Sequence, residues 1–466
     1  MNCLDYKIKF FVQKRKFSIL YITIQILCLS TQPALAEQSQ ITNLRFVETA
    51  TNSPNLLDND QNNDNYIDFD DPTNTIHKLT PTLSFGSSFE LQFELNNNYA
   101  LSSPKDDNLE EIQPSANIAF LYQPQNWLSA YLELNLTHDY LINHPEKSKR
   151  SETEFVVKQA YLNFNNIYDG VSLKIGRQRH KDPREWWYDE NLDAIRLLYG
   201  YRNAGIEFSA SREEIIGNDL LNGDDQEEIN NYLVAAHYKF SKKNELNAYF
   251  LFRDDRSERK RDPIYFGIQS IGKVTPSLKY WLDTAALFGS TGDEDFQAFA
   301  FDIGGTYAPK ISFKPALTFG VAFGSGDNDH DNKDETFRQT DLEDNNGKFN
   351  GVTKFKYYGE LLDPELSNLW ILTSALGFKP IAKGSIDFVY HYYRQHHLDD
   401  KLRSDLEINP DGKNKDIGHE LDIVLGYRGI KNLNAEIIFG TFIPGKAFSS
   451  AHDNAFFGKF EINYRY

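Results

Sequence analysis

Hydrophobic and polar residues alternate along most of the chain after residue 80. In the segment 82–95, apolar side chains such as Phe89, Leu91 and Phe93 occupy every second position, with polar side chains between them. The same period of two recurs in 128–138 and in 419–428. Successive side chains of a β-strand point to opposite faces. The pattern therefore predicts strands with one apolar face and one polar face.

Segments of this kind number about 18, an even number. They are predicted near 82–95, 115–123, 128–138, 155–164, 171–178, 193–199, 205–213, 231–240, 245–254, 264–272, 278–288, 296–307, 313–325, 370–379, 384–395, 419–428, 433–442 and 456–466. Roughly 9–11 residues per strand suffice to cross a bilayer at a tilt. The predicted fold class is all-β, a transmembrane antiparallel β-barrel of about 18 strands.

The connections between the predicted strands alternate in length. Short ones lie near 123–127, 165–170, 242–244, 380–383 and 429–432. Longer polar connections separate them, as the short periplasmic turns and long external loops of an outer-membrane barrel require. The alternative is a soluble β-sandwich with alternating strands, but a sandwich gives no reason for this regular change of length.

The last predicted strand has an aromatic face. Phe460, Ile462, Tyr464 and Tyr466 share one side of residues 460–466, and the chain ends on an aromatic residue. This pattern is typical of the signal that outer-membrane assembly machinery recognises. We therefore expect the assembly machinery, membrane lipid and lipopolysaccharide as partners, and the bacterial outer membrane as the location.

One connection is much longer than the others. If 313–325 runs outward and 370–379 runs inward, residues 326–369 form a single external loop of more than forty residues. A connection of this length is unusual unless it has a function. We predict that it folds back into the barrel as a constriction, with Asp327 and Asp341 as constriction residues. The alternative is a mobile cap above the pore.

The N-terminus carries an export signal. Basic residues precede an apolar stretch over 17–29, and Ala34 and Ala36 form a small-x-small cleavage site, so residues 1–36 are predicted to be a signal peptide. Residues 37–78 form an Asn- and Asp-rich segment that we expect to be flexible. The cysteines, Cys3 and Cys28, precede residue 37. The mature chain is therefore expected to have neither disulfides nor Cys-based metal sites.

The charge of the chain is strongly acidic. Removal of residues 1–36 takes away five basic residues and one acidic residue, so the net charge changes from −18 to −22. This balance argues against nucleic acid as a partner. Acidic residues cluster in 58–71, 224–228 and 327–334, either as solvated loops or to bridge divalent cations. A calcium-like alternation over 58–64 lacks the glycine that an EF-hand turn needs, and we predict no metal and no cofactor.

Several motifs occur in the order known from one family of membrane proteins. They are Lys158-Gln159-Ala160-Tyr161, Lys174-Ile175-Gly176-Arg177-Gln178-Arg179, Trp186-Trp187-Tyr188-Asp189-Glu190, Asp193-Ala194-Ile195-Arg196, Gly324-Ser325-Gly326-Asp327, Phe337-Arg338-Gln339-Thr340, Gly359-Glu360, Glu365-Leu366-Ser367-Asn368-Leu369 and Glu420-Leu421-Asp422. Together they resemble the alginate-export family of outer-membrane barrels over roughly residues 80–466.

The resemblance implies a monomeric, 18-stranded barrel whose electropositive lumen passes an anionic polysaccharide outward, with loops that restrict the pore. It also implies that Arg177, Arg179, Arg196 and Arg338 line this pore. The chain departs from the family pattern at Asp341, where a small residue is expected. An acid therefore stands close to a proposed anion contact.

The strand phase gives an independent view of the lumen. Inward bases are predicted at Lys174, Arg196, Arg253, Lys279, Arg428, Lys459 and Arg465. Inward acids are predicted at Glu90, Glu94, Glu133, Glu207, Asp283, Asp302, Asp387, Asp422, Glu436 and Glu461. Of the bases, Lys174, Arg253 and Arg428 join the arginines above as candidate pore-lining residues, although pairing across the wall is the alternative role for any of these charges.

Arg177 has a phase conflict. It shares the phase of the lipid-facing Leu173 and Ile175, so it faces the lumen only if Gly176 carries a bulge or the strand ends there.

Other residues have more than one interpretation. Trp186 and Trp187 follow an outward strand, which suits an aromatic girdle or lipid contact, and a sugar-stacking platform is the alternative. His391, His396 and His397 are predicted at a solvated strand end, with metal binding as the alternative.

No catalytic arrangement is recognisable, so we predict a channel and not an enzyme. Neither a nucleophile elbow nor a zincin motif occurs in the sequence. The alternatives are an uptake porin for small solutes, an outer-membrane hydrolase, and an adhesin or assembly factor.

Overall fold

The computed structural model describes residues 69–102, 108–143, 151–215, 217, 219–221, 228–256, 261–291, 294–328, 333–449 and 453–466. The predicted signal peptide, residues 37–68 of the N-terminal segment and the calcium-like alternation over 58–64 lie outside these residues. In the part of the chain that is described, no helix is long and apolar enough to cross a membrane.

Within these residues, eighteen long strands form the main sheet. They are β1 (Leu83–Asn97), β2 (Leu109–Gln125), β3 (Leu128–Asn143), β4 (Ser151–Tyr168), β5 (Val171–Lys181), β6 (Asp189–Tyr201), β7 (Ala204–Arg212), β8 (Ile229–Ser241), β9 (Asn244–Asp255), β10 (Ile264–Thr275), β11 (Leu278–Thr291), β12 (Glu294–Tyr307), β13 (Ala316–Gly324), β14 (Leu369–Ile381), β15 (Gly384–Gln395), β16 (Asp416–Tyr427), β17 (Leu433–Pro444) and β18 (Ala455–Arg465). Four two-residue bridges add to them at His77–Lys78, Lys333–Asp334, Asn346–Gly347 and Phe355–Lys356.

The long strands close into a barrel. Each pairs antiparallel with its neighbours in the chain, and β18 returns to β1, where Arg465 pairs with Ser88 and Phe456 with Asn97. Closure leaves no open strand edge. A structure inside lipid must be closed in this way, because lipid offers no hydrogen-bond partners to unpaired backbone groups. The predicted fold class is confirmed, and each predicted strand overlaps one strand of the barrel.

The two faces of each strand differ as the alternation predicts, and the apolar residues lie on the outside of the barrel. On β10, the outward Phe266 and Ile268 are about half exposed, whereas the inward Gln269 is fully buried. In water this arrangement would be unfavourable, because apolar surface would remain hydrated. In a bilayer the acyl chains cover the apolar face and the polar face surrounds the lumen.

The connections also fall into two sets at opposite ends of the barrel. At one end two residues join β8 to β9 and β14 to β15, and at the other end residues 396–415 join β15 to β16. The short-turn end corresponds to the periplasm. Two connections depart from this division. The connection 308–315 is long although it lies at the short-turn end, and the connection between β11 and β12 at the other end has only residues 292–293.

The connection between β13 and β14 folds into the barrel over its described residues, 325–328 and 333–368. Leu361, Leu362 and Leu366 of this segment (residues 325–368, hereafter the inner loop) are fully buried. Backbone amides of the inner loop donate to wall side chains, among them Leu361 N to Glu420 Oε1 at 2.7 Å. The fold therefore contains a second core, enclosed by the polar face of the strands.

Candidate functional site

The inner loop packs against one side of the barrel wall. The ring of Phe349 stacks on Trp281 of β11 at 5.8 Å between centroids, and the inner-loop residue Tyr358 accepts through its carbonyl a hydrogen bond from Tyr393 of β15 at 2.7 Å. The Val352 amide donates to Ser385 Oγ at 2.8 Å. These contacts involve strands between β9 and β17, so this side of the lumen is filled with protein.

A second segment folds inward between β5 and β6. Within residues 182–188, the Asp182 carboxylate accepts hydrogen bonds from the backbone amides of Arg184 (2.9 Å) and Trp187 (2.7 Å). Gln269 of β10 donates to the same carboxylate at 2.9 Å. A short polar side chain that binds its own backbone stabilises a tight turn. This turn directs the following aromatic residues into the lumen.

Arg184 joins the two inward segments to the wall. Its guanidinium pairs with Asp302 of β12 at 2.8 Å and with Asp283 of β11. The same group lies between the rings of Trp281 and Tyr357, at 5.0 and 4.7 Å from their centroids. A guanidinium binds two carboxylates and stacks on aromatic faces more readily than an ammonium group does. Burial favours the neutral form, but these two carboxylates raise the pKa of Arg184 well above its usual value.

The tryptophans of this turn correct one prediction. Trp186 and Trp187 are buried inside the barrel rather than placed in a lipid-facing girdle. Trp186 donates to the Tyr358 hydroxyl at 2.7 Å, and the Trp187 ring covers Gly267 of β10, where an added Cβ would lie 1.8 Å from it. The prediction was wrong because the outward direction of β5 does not determine where the next loop turns.

Charged groups from three parts of the chain meet near the outer ends of β5 and β6. Arg179 Nη2 lies 2.7 Å from Asp189 Oδ2, and Lys181 Nζ lies 3.0 Å from Glu185 Oε1. Lys354 of the inner loop pairs with the same Glu185. The predicted pore residue Arg179 therefore lies in a buried ionic network that ties the inner loop to the barrel mouth.

Three carboxylates in this region are close enough to be considered as a metal site. Oxygens of Glu185, Asp189 and Asp344 lie within 4.8 Å of one another. However, Lys181 and Lys354 already bind oxygens of this group. A divalent ion would have to compete with these lysines, so the geometry favours an ionic network.

Two predicted pore arginines are paired with acids. Arg196 of β6 makes a two-pronged contact with Glu207 of β7, with both N···O distances 2.6 Å. Arg253 of β9 lies 3.3 Å from Glu213 and 3.2 Å from Asp341 of the inner loop. Such paired contacts fix the arginine side chains and neutralise much of their charge. Pairing across the wall, the alternative considered from sequence, describes Arg196, whereas Arg253 pairs with acids of a connection and of the inner loop.

The other predicted cations have different surroundings. Lys174 is half-buried, with Nζ 3.8 Å from the centre of the Tyr161 ring. Arg338 pairs with Asp334 at 2.9 Å and keeps 23% of its side chain exposed. Arg428 is buried just beyond β16, at the short-turn end. Lys174 and Arg338 are therefore more accessible than Arg196 or Arg253.

The two predicted constriction acids also lie in different surroundings. The side chain of Asp341 is 65% exposed while it pairs with Arg253, and its φ of 57° is in the left-handed region. Asp327 is half-buried near the start of the inner loop, where its amide donates to Thr336 Oγ1 at 3.2 Å. The acid that departs from the family pattern at Asp341 thus balances a wall arginine.

Arg177 is not in the lumen, which corrects its prediction as a pore residue. The pairing of β5 with β6 is regular through Gly176, so Arg177 keeps the outward phase of Ile175. It lies 3.7 Å from Asp193 and donates to the Glu213 carbonyl at 2.7 Å. Arg177 and Asp193 line a cavity of about 800 Å³ beside the lipid-facing Ile195.

One of the predicted strand-end histidines is misplaced as well. His391 is fully buried on the inward face of β15, where its Nδ1 lies 2.9 Å from the Thr373 hydroxyl. His396 and His397 follow the strand and are half-buried. The solvated position predicted for His391 was wrong, because the inner loop covers that part of the wall.

The opposite side of the lumen is lined by polar groups that are half-buried, and we call it the open side. Glu90, Glu94, Lys459 and Glu461 on β1 and β18 point inward there, and Lys459 pairs with Glu461 at 3.5 Å and with Glu436 at 2.9 Å. Lys158 of β4 also reaches the lumen. Lys158 is the extra residue at a shift in the β3–β4 register, so the alternation along the strand does not predict its inward direction. A bulge of this kind leaves no signal in the alternation of residue types.

The fold, the apolar outer surface and the polar interior define a β-barrel of the bacterial outer membrane. The chain belongs to the alginate export family, whose family model matches residues 82–456. This match includes nearly all of the barrel, from β1 to the first residues of β18.

Two curated relatives have the same name. The alginate production protein AlgE of Pseudomonas aeruginosa is 26% identical over 336 residues, which cover 60% of this chain and 64% of that protein. AlgE of Azotobacter vinelandii is 29% identical over 143 residues, covering 28% of this chain and 29% of that protein. The chain thus matches less than two thirds of the length of either relative.

Solved outer-membrane proteins share the fold at low identity. OccK7 (OpdD) of Pseudomonas aeruginosa has a TM-score of 0.55 and 11% identity, and the match covers 83% of this chain and 99% of that chain. OccAB4 of Acinetobacter baumannii has a TM-score of 0.53 and 10% identity, with the same coverage of both chains. At this identity the likeness concerns the fold alone.

Proposed function

We propose that this protein is a passive channel that exports alginate, or a chemically similar polyuronate, across the outer membrane. The observation that carries the proposal is the match of the alginate export family to residues 82–456. The name shared by the two curated relatives supports the same class of substrate. A closed barrel with a polar interior supplies the hydrated passage that a charged polymer needs.

The polymer carries a carboxylate on every sugar, so its passage depends on cations along the wall. In a narrow channel with low-dielectric walls, such charges determine which ions enter. Lys174 and Arg338 are our candidate contacts with the polymer because they remain partly accessible. We assign a less direct role to the cations Arg179, Arg196, Arg253 and Arg428.

The less direct role is to shape the passage. Arg196 holds Glu207, and Arg253 holds Asp341 of the inner loop. Removing one partner of a buried pair leaves the other charge uncompensated, which is strongly destabilising. We therefore propose that these pairs keep the wall and the inner loop in position, while Asp327 and Asp341 lie on the loop that narrows the pore.

Conductance in planar bilayers tests the proposal. In a salt gradient we expect the reversal potential to show anion preference, and mannuronate oligomers added to one side should block the current. Neutral glucan oligomers of equal length are the control. Cation preference without a block by mannuronate would contradict the proposal.

One observation favours a second candidate, an uptake porin for small solutes. Glu90, Glu94 and Glu461 lie on the open side of the lumen together with Lys459, so its wall has both signs of charge. Deletion of the gene separates the two functions. Polyuronate retained in the periplasm supports export, whereas impaired growth on small solutes without retained polymer supports uptake.

The surface of the barrel suggests further partners. A barrel in the outer membrane contacts lipid, and we propose lipopolysaccharide as the lipid of its external side. We also propose that residues 460–466 bind the assembly machinery, since Tyr464 and Tyr466 expose their rings on the outer face. A monomer is the proposed state, to be tested by mass measurement in detergent.

A further inference from the structure

Residues 69–76, which precede β1, lie on the open side of the lumen. Beyond them, His77–Lys78 pair with Ser84 and Phe85 near the short-turn end of β1. From there the chain passes inside the barrel along the wall formed by β1–β5. We call residues 69–76 the inner segment.

Hydrogen bonds hold the middle of the inner segment to the wall. Thr73 is buried, and its hydroxyl donates to Glu133 Oε1 at 2.6 Å while lying 3.2 Å from Ser88 Oγ. The Tyr131 hydroxyl donates to the Thr73 carbonyl at 3.0 Å. At the far end, the Phe69 carbonyl accepts from Asn117 at 3.4 Å. The backbone and side chains of the segment are thus both recognised.

The wall has a surface shaped for this contact. A Cβ added at Gly86 of β1 would lie 1.9 Å from the Asn74 carbonyl oxygen. Only a residue without a side chain permits such a close approach of two backbones. The inner segment is therefore seated directly on the strand and not merely near it.

Two acids of the inner segment meet cations of the wall. Asp70 lies 3.8 Å from Lys158 Nζ, and Asp71 lies 2.7 Å from Lys181 Nζ. Lys158 also donates to the Phe69 carbonyl at 2.5 Å and lies over the Phe69 ring. The segment thus has carboxylates at two adjacent residues, and each of them is paired with a lysine of the wall.

We infer that the wall of β1–β5 is a binding site for an acidic chain, which the inner segment occupies at rest and an exported polymer must take over. The opposite wall is covered by the inner loop, so the polymer has this side available to it. The inference rests on the proposed function and adds to it the path of the polymer and its resident competitor.

A disulfide that ties the inner segment to the wall tests this directly. Residues 37–466 contain no cysteine, so Thr73→Cys with Ser88→Cys introduces a single pair. In vesicles containing the full mature protein, oxidation should lower the efflux of labelled mannuronate oligomers at least about tenfold, since it removes most of the competent population. Reductant should restore the efflux. Measurable efflux that is equal in both states would overturn the inference.

A control disulfide distinguishes the effect of fixing the inner segment from a general effect of a disulfide in the barrel. Thr306 and Thr318 lie on neighbouring strands, with hydroxyls 2.8 Å apart. Thr306→Cys with Thr318→Cys should leave efflux unchanged after oxidation. If oligomers pass in neither state of the test pair, the proposed function fails, and the salt conductance of a variant that displaces the inner segment decides this inference alone. A higher conductance than in the matched control of that variant supports the resident segment, and equal conductance overturns it.

A second variant avoids cysteine chemistry. Gly86→Ala should displace the inner segment and raise oligomer efflux severalfold, because its new methyl group meets the Asn74 carbonyl. Gly458→Ala is the matched control, since its Cβ would meet atoms only at 3.9 and 4.0 Å. Efflux that rises equally in both variants, or in neither, would contradict the inference.

Discussion

The two sides of the barrel interior are built on different principles. Between β9 and β17, Leu361, Leu362 and Tyr393 are fully buried, as in the core of a water-soluble protein. Along β18 and β1, the inward Glu90 and Lys459 are only half-buried. One side is thus filled by apolar packing, and the other keeps polar groups available to water and solute.

The difference explains how a wide barrel becomes a narrow passage. Apolar packing holds the inner loop firmly, since burying an aliphatic or aromatic side chain contributes about 1.5–3 kcal/mol. Among the described residues, the inner segment covers the open side, and it relies on hydrogen bonds and ion pairs that exchange readily with water or with a polyanion. The filled side sets the width, and the open side provides the path.

Removing part of the filling should have the largest effect. Deletion of residues 327–350 takes away Phe337 and Phe349 and opens the filled side, so single-channel conductance should rise severalfold. The strands are left intact, which heat-modifiable mobility in gels can verify. An unchanged conductance would mean that this loop does not constrict the pore.

Loss of Arg184, the buried cation that joins the two inward segments to the wall, should have the next largest effect. Arg184→Met leaves Asp283 and Asp302 buried without their partner, at a cost of about 3–5 kcal/mol. Thermal unfolding should show a lower midpoint, and the current should become noisier as the two inward segments loosen. Adding Asp283→Asn and Asp302→Asn should recover much of the loss; a triple variant no better than the single one would refute the assignment.

The docking of the inner loop should depend on pH. Burial raises the pKa of Glu360 to about 7, above its usual 4.5. Because this pKa is raised, the protonated Glu360 carboxyl stabilises the docked loop. This stabilisation is fully present below the pKa that the carboxyl has in the unfolded chain, and it is lost as pH rises through about 7. Conductance should therefore increase between about pH 5 and pH 8, and Glu360→Gln should flatten this dependence.

The smallest effect is expected on the open side. Lys174→Met removes one accessible cation without changing the packing of the inner loop. Its reversal potential in a salt gradient should shift slightly toward cations, and mannuronate block should weaken by a few fold. Lys310→Met, in the connection 308–315 at the short-turn end, is the matched control. A stability loss in Lys174→Met would instead indicate a structural role for its contact with the Tyr161 ring.

Much of this architecture was readable from local pattern. Phe266 and Ile268 alternate with Gln269 because lipid and lumen impose opposite demands on neighbouring positions, and that demand repeats in every strand. The length of the connection after β13 marked it as exceptional. Residues whose position follows from strand phase, such as Arg196 and Glu207, could be assigned to the lumen without a structure.

Three residues show where local pattern stops being informative. Arg177 was assigned to the pore through the family motif, but the regular pairing of β5 keeps it outside. The buried position of Trp187 depends on the direction of the preceding turn, which the Asp182 carboxylate fixes by accepting a hydrogen bond from the Trp187 amide. Lys158 reached the lumen through a register shift opposite Glu133. Each outcome depends on a contact with another part of the chain.

The sequence by itself determined the barrel, because alternation, strand length and turn length are each local properties that a bilayer selects. Only the tertiary structure decided which side of the lumen is filled and which is open. That choice rests on groups far apart in the chain, such as Arg184 with Asp283 and Asp302. A polar residue at an inward position gives the same sequence pattern whether water, the inner loop or the inner segment covers it.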